Sequence, residues 1–195
     1  MERNNTLISD LTESSKDVEV WAKFLRVWEM KSAPNEIECH LILSDRRNTP
    51  HQFQIIFNDR TQVFYGYSLT ENPMFVHVPF QQVLQRDFDN TYPIDLLGWV
   101  TSFGTLIESE EDPYGKIFGV PLTHIHFKLK DESGCELESE ALGEVAKELD
   151  MKSWWLSKYE KTFLALGFWR VEYLEEGRVK ITNGGPCSKF EFDPT

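Results

Sequence analysis

Cysteine is scarce in this chain: Cys39, Cys135 and Cys187 are the only three in 195 residues, and they lie far apart. No CxxC pair occurs, which excludes a clustered-cysteine zinc site, and three isolated thiols fit reduced cysteines inside a cell better than a disulfide framework. Basic charge is also in short supply, with 20 Lys and Arg against 32 Asp and Glu and a formal charge of −12. Residues 1–90 carry −4 (9 basic, 13 acidic) and residues 91–195 carry −8 (11 basic, 19 acidic), so neither half is cationic as a whole. Affinity for a polynucleotide draws largely on Lys and Arg displacing counterions from phosphates, so here it would need a local basic groove.

Long apolar runs are missing too. No stretch approaches about 18 apolar residues, so no membrane-spanning helix is expected. The opening MERNNTLISDLTESS is polar and lacks an apolar core, so no secretory signal is expected. GxSxG, P-loop, HExxH and zinc-deaminase patterns do not occur, and the Gly184–Gly185 pair is too little for a nucleotide fingerprint. An enzyme, a cofactor and a membrane partner are therefore not expected. Internal repeats and low-complexity segments are absent as well. The expectation is a soluble protein of the cytosol or nucleus.

What is present favours β-structure. Hydrophobic residues make up 41% and aromatics 13%, rich in the Val, Ile, Phe, Tyr and Trp that suit strands and too aromatic for a disordered acidic chain. Residues 18–30 (VEVWAKFLRVWEM) alternate as a long strand, SAPNE reads as a turn, and residues 37–44 (IECHLILS) read as its antiparallel partner. HQFQIIF (51–57) and TQVFYGY (61–67) are further strand candidates, and Pro73 and Pro79 break up residues 70–90. From Tyr92 the pattern sharpens. Strands are expected at 94–104, 123–130, 135–142, 162–174 and 178–182, and a helix at 143–155 with Val145, Ala146, Leu149 and Trp154 on one side. Residues 108–121 read as a long polar loop, DESG as a tight turn with Gly134 at positive φ, and the tail NGGPCSKFEFDPT carries little regular signal. The resulting order is strand, strand, strand, helix, strand, strand. It predicts an all-β fold with one helix, an OB-fold five-stranded Greek-key barrel over residues 91–195.

IDLLGWVTSFG, HIHFKLKDESGCELESEALGEVAKEL and TFLALGFWRVEYLEEGRVKIT together resemble a DNA-binding barrel of the replication protein A large subunit, in particular the expanded plant set of that family. ISDL with VEVWAKFLRVWEM resembles the opening strand of a preceding barrel, FQIIFNDRTQV the end of it, and PFQQVLQRDFDNTYPIDLLG the linker between the two. Only a loop's length separates ILSD (42–45) from TPHQFQIIF (49–57), where the family has a third strand and a helix. Residues 1–90 are therefore expected to form an incomplete OB-like barrel with its linker. The resemblance implies a nuclear protein acting in DNA replication, recombination or repair, with single-stranded DNA and other subunits of that complex as partners.

An OB-fold binds single strands with a positive groove and stacking rings across its second and third strands, flanked by the loops between strands one and two and between strands four and five. On that geometry the polar face of the second strand offers His124, His126, Lys128 and Lys130. Arg170, Arg178 and Lys180 add charge from strands four and five. Trp99 and Phe103 on strand one, with Trp169 and Tyr173 on strand four, offer rings. Lys128 and Lys130 read equally as solvated surface lysines, and Trp99 and Trp169 as core rings. His124 and His126 share a face, but no third ligand follows at matching spacing, so no metal is expected. Two departures from the family weaken the groove. Leu142 stands where the family has a stacking Trp, and Glu108, Glu110, Glu111 and Asp112 crowd the loop that would close over phosphates. The alternative function is a protein-interaction module, or a degenerate copy that has lost DNA binding.

Overall fold

The computed structural model describes residues 6–16, 18–20, 22–33, 36–44, 57, 61–64, 77–88, 90–109, 122–158, 160–185 and 187–194. The chain divides into two compact units, Met1–Met74 and Phe75–Thr195. Among the described residues no helix is long and apolar enough to cross a membrane.

Among its described residues the first unit holds one antiparallel ladder. Strand β1 (Lys23–Ala33) pairs with β2 (Glu36–Ser44), from Lys23↔Ser44 to Ala33↔Glu36. The strand expected at 18–30 thus begins later, at Lys23, where the partner strand ends at Ser44. Val20 makes a parallel bridge with Thr6 instead. The strand expected at 51–57 lies outside the described residues apart from Phe57, as do residues 65–67 of the next, while 61–64 carry no regular element.

The second unit opens with helix α1 (Phe80–Gln85) and continues through β3 (Ile94–Phe103), β4 (Ile107–Ser109), β5 (Leu122–Lys130), β6 (Glu136–Leu142), α2 (Gly143–Met151), α3 (Trp154–Lys158), β7 (Phe163–Tyr173), β8 (Val179–Asn183) and β9 (Lys189–Phe192). Strands β3, β5, β6, β8 and β7 are hydrogen-bonded in that order, and β7 pairs back with β3. Only the β6–β8 contact in this ring is parallel. A closed barrel with that strand order, and a helix between its third and fourth strands, is an OB-fold. The fold class expected for the second half of the chain is therefore the one observed.

Alternation drives closure. Ile125, Phe127 and Leu129 of β5, Leu137 and Ala141 of β6, Leu164 and Leu166 of β7 and Ile181 of β8 point inward and are buried together. Gly98 lets β3 pass close to its neighbours, because a Cβ there would meet Lys130 O at 2.8 Å and Phe80 Cζ at 2.9 Å.

Several elements differ from expectation. The boundary lies before α1 rather than at residue 90, because Phe80 and Val83 are buried in the barrel core. Pro79 does not break structure there but precedes the first turn of α1, a position that needs no proline N–H. Asp131 ties that helix to the β5–β6 turn: its carboxylate accepts from Phe80 N at 3.1 Å, Cys135 N at 3.0 Å and Ser133 Oγ at 2.6 Å. The single helix expected at 143–155 breaks after Met151. Continuing α2 would place Ser153 beneath Leu149. The break turns Trp155 and Leu156 toward the core and leaves Trp154 54% exposed. The unmarked tail forms β9, which pairs with β7 from Leu164↔Phe192 to Gly167↔Lys189. There it takes the β7 edge that β8 leaves at Asn183↔Trp169.

A bulge in β7 has a cost in charge. Phe168 adopts φ 60°, and its N–H donates to Asp95 Oδ1 at 2.9 Å. Burial pushes the Asp95 carboxyl above its ordinary 3.8, while the Phe168 N–H and the nearby charges of His77 and Lys189 pull it back down. A carboxyl raised in the folded state contributes its full stability only below its unfolded pKa, and that contribution is lost as pH rises through the folded value. Asp95→Asn keeps the oxygen acceptor without the charge. It should melt higher than the parent at neutral pH, and the gap should close as pH falls through the raised folded value toward about 4. Thermal melts of both proteins across that range check the sign.

Candidate functional site

Most of the polar candidate residues lie on the outer surface of the barrel. Because successive side chains in a strand alternate, His124, His126, Lys128 and Lys130 all leave β5 on the face opposite Ile125, Phe127 and Leu129. The same alternation in β6 sends Glu136, Glu138 and Glu140 outward. The Asp131–Cys135 turn then sets the register: His126 lies opposite Glu140, Lys128 opposite Glu138 and Lys130 opposite Glu136. Each base on β5 below His124 thus meets a carboxylate directly across the ladder.

The contacts follow the register. Lys128 Nζ lies 3.4 Å from both Glu136 Oε1 and Glu138 Oε1. Hydrogen bonding to Glu138, then to Glu136, pushes its pKa up. Lys180 of β8 reaches Glu140 Oε2 at 2.7 Å and Glu172 Oε2 at 3.4 Å. Two bases of the expected cationic trough, Lys128 and Lys180, are therefore held in a lattice of ion pairs with Glu136, Glu138, Glu140 and Glu172.

The rings divide in two. Trp99 points outward from β3, in register with Lys130 of β5 on one side and Phe163 of β7 on the other. Its ring meets Phe163 edge-on, with centroids 6.2 Å apart and planes at 78°. Lys161 Nζ sits 4.7 Å from the Trp99 ring centroid, a cation–π distance. Phe163, Trp99, Lys130 and Glu136 thus form one row across four strands. Among the described residues Lys130 makes no ion pair.

The other three rings are not on this face. Trp169, expected among the stacking candidates, is 0% exposed. The Phe168 bulge reverses the alternation of β7 and turns Trp169 inward onto Phe127. Phe103 packs against Phe127 at 6.2 Å at the end of β3. Tyr173 serves the α1 contact: its hydroxyl donates to Val83 O at 3.4 Å and the Arg86 guanidinium lies 4.5 Å over its ring. Burial raises the Tyr173 pKa and Arg86 lowers it in part.

Of the remaining candidates, Arg170 is exposed on β7, with its stem against Gly184. Arg178 is exposed just before β8. The ring of His124 lies 5.2 Å from that of His126, whose side chain is 59% exposed. Leu142 faces His124 across the ladder. Its backbone is held by Asn183, whose side chain accepts from Leu142 N at 2.6 Å and donates to Leu142 O at 3.3 Å. Of the acidic loop, Glu108 is exposed, and residues 110–121 lie outside the described residues.

Sequence reasoning missed Lys161 and Phe163, which flank Trp99, and the β6 carboxylates. The alternation in ELESEAL, laid against HIHFKLK through the five-residue Asp131–Cys135 turn, carried the second signal. It also missed a second ring–lysine cluster on α3. There Trp154 and Trp155 stack at 4.8 Å, with Lys158 Nζ 5.7 and 4.8 Å from their centroids.

The chain matches no protein-family model and no curated protein. Among solved structures it is similar to a chain of a replication protein A heterotrimer bound to ssDNA, at a TM-score of 0.47 and 16% identity, over 82% of this chain and 29% of that one. The chain thus spans less than a third of that protein's length.

Proposed function

We propose that the Phe75–Thr195 barrel binds single-stranded DNA, as a non-enzymatic protein of replication protein A type, through the Phe163–Trp99–Lys130 row. The observation that carries this reading is the outward Trp99, with one aromatic neighbour and lysines on two sides. Non-specific single-strand binding by OB-folds combines ring stacking with lysines that follow the backbone, and this row offers both. The β5–β6 ion-pair lattice adds little phosphate attraction, so binding should be weak, with a shallow salt dependence that Lys130 and Lys161 set. The setting this reading implies is DNA replication, recombination or repair in the nucleus, alongside other subunits of such a complex.

The lattice itself favours a second reading, a barrel that binds a partner protein, because Lys128 and Lys180 are already occupied by carboxylates. One experiment separates the two. Fluorescence anisotropy of a labelled oligothymidylate at low salt should show saturable binding to the parent chain; no binding there removes the DNA reading. The double variant Glu136→Gln, Glu138→Gln frees Lys128. It should bind several-fold tighter, with a log–log salt slope steeper by about 0.7 for each phosphate newly engaged. An unchanged or weaker affinity in the double variant favours the partner protein.

A further inference from the structure

We propose that His124, His126 and Glu140 form a binding site for one divalent transition-metal ion of the zinc type on the outer face of β5 and β6. The proposal does not depend on the nucleic-acid reading. Two histidines two residues apart on a strand share a face by alternation, and their rings lie 5.2 Å apart. A pair alone is a weak chelate. The third ligand comes from across the hairpin, because the β5–β6 register sets Glu140 opposite His126. Glu140 Oε1 is 3.5 Å from His126 Nε2, and one ligand atom from each of the three residues lies within 4.8 Å of the others.

Zinc–nitrogen and zinc–oxygen bonds of about 2.0–2.2 Å in a tetrahedron separate neighbouring ligand atoms by roughly 3.3 Å. The His126–Glu140 pair already has that spacing, and the His124 imidazole closes the remainder by side-chain rotation. The carboxylate is prepared for the role. Its Oε2 is held by Lys180 Nζ at 2.7 Å, which leaves Oε1 directed at the imidazoles. Lys180 thus acts as a support behind the ligand and need not be displaced when an ion binds. Leu142, opposite His124, adds an apolar neighbour. Two imidazoles and one carboxylate suit zinc, nickel or copper better than magnesium or calcium. Three protein ligands leave a fourth position for water or an anionic oxygen. Residue spacing along the chain does not reveal the site, since its third member arrives only through the hairpin register.

Titration of zinc into the full chain against a chromophoric chelator tests the proposal. The parent protein should take up one ion that the His40→Ala, His77→Ala double variant retains. His126→Ala and Glu140→Gln should each weaken uptake by at least about tenfold, since even residues supporting a ligand are worth about 10–100-fold in affinity. Circular dichroism of both variants checks that they fold. Cobalt in place of zinc should give the intense visible bands of a four-coordinate ion, lost in His126→Ala. Three results would overturn the assignment: no uptake by the parent protein, uptake unchanged in His126→Ala, or uptake unchanged in folded Glu140→Gln.

Discussion

Trp169→Ala should cost the barrel about 3–5 kcal/mol of unfolding free energy, at the upper end of what a single core truncation removes. The side chain is wholly buried and stands edge-on to Phe127, with centroids 5.8 Å apart and planes at 86°. Its Nε1 donates to Lys189 O at 2.8 Å, which fastens β9 to the wall of the barrel. Alanine would open a cavity that the surrounding core fills only in part, and would remove the hydrogen bond to the Lys189 carbonyl. Trp169→Phe separates the two effects. It retains most of the ring volume and gives up the hydrogen bond, so it should cost nearer 1–2 kcal/mol. Since a domain's whole stability is about 5–15 kcal/mol, urea unfolding of Trp169→Ala should show a strongly shifted midpoint or a protein unfolded from the start. A loss below about 1 kcal/mol would mean that Trp169 does not fill the core.

Trp99→Ala should behave in the opposite way. Its ring lies on the outside of the sheet, so the substitution should leave the unfolding midpoint close to that of the parent. Oligothymidylate binding should fall by about 1–3 kcal/mol, or roughly 5- to 150-fold, the range for loss of one stacked base. Trp99→Phe should recover part of this, because a smaller ring still offers a π-face. The same anisotropy titration gives both values. If Trp99→Ala binds as the parent does while Phe163→Ala and Lys130→Gln also change nothing, the row is not the contact surface and the nucleic-acid reading loses its support.

These two tryptophans also show how far the sequence can be read. The hairpin of β5 and β6 is legible because HIHFKLK and ELESEAL alternate strictly around a glycine turn, and the strand–helix–strand order behind it points to the barrel. Trp99 and Trp169 cannot be told apart in the same way. Counting alternate residues from Leu164 and Leu166 puts Trp169 outside, and only the extra residue at Phe168 turns it inward. Charge misleads for a related reason. Taken strand by strand, Lys128 looks open to phosphates, whereas its environment is set by the neighbouring strand, where Glu136 and Glu138 stand. Short elements escape as well. The six residues of α1 and the four of β9 are too brief for periodicity to register, and both are held by tertiary contacts: Phe80 in the core and the β7 edge.

Closure of the barrel has a consequence for how the protein is made. The seam joins Ile94 to Trp169 and Trp99 to Phe163, partners drawn from opposite ends of the barrel sequence. Contacts so remote along the chain slow folding toward the millisecond-to-second range of other β-barrels. During synthesis β3 emerges long before β7, so its hydrogen-bonding edge waits bare at the ribosome until the last third of the chain follows. A nascent or truncated product ending ahead of Phe163 would carry that unmatched edge into solution, where it invites pairing with other chains.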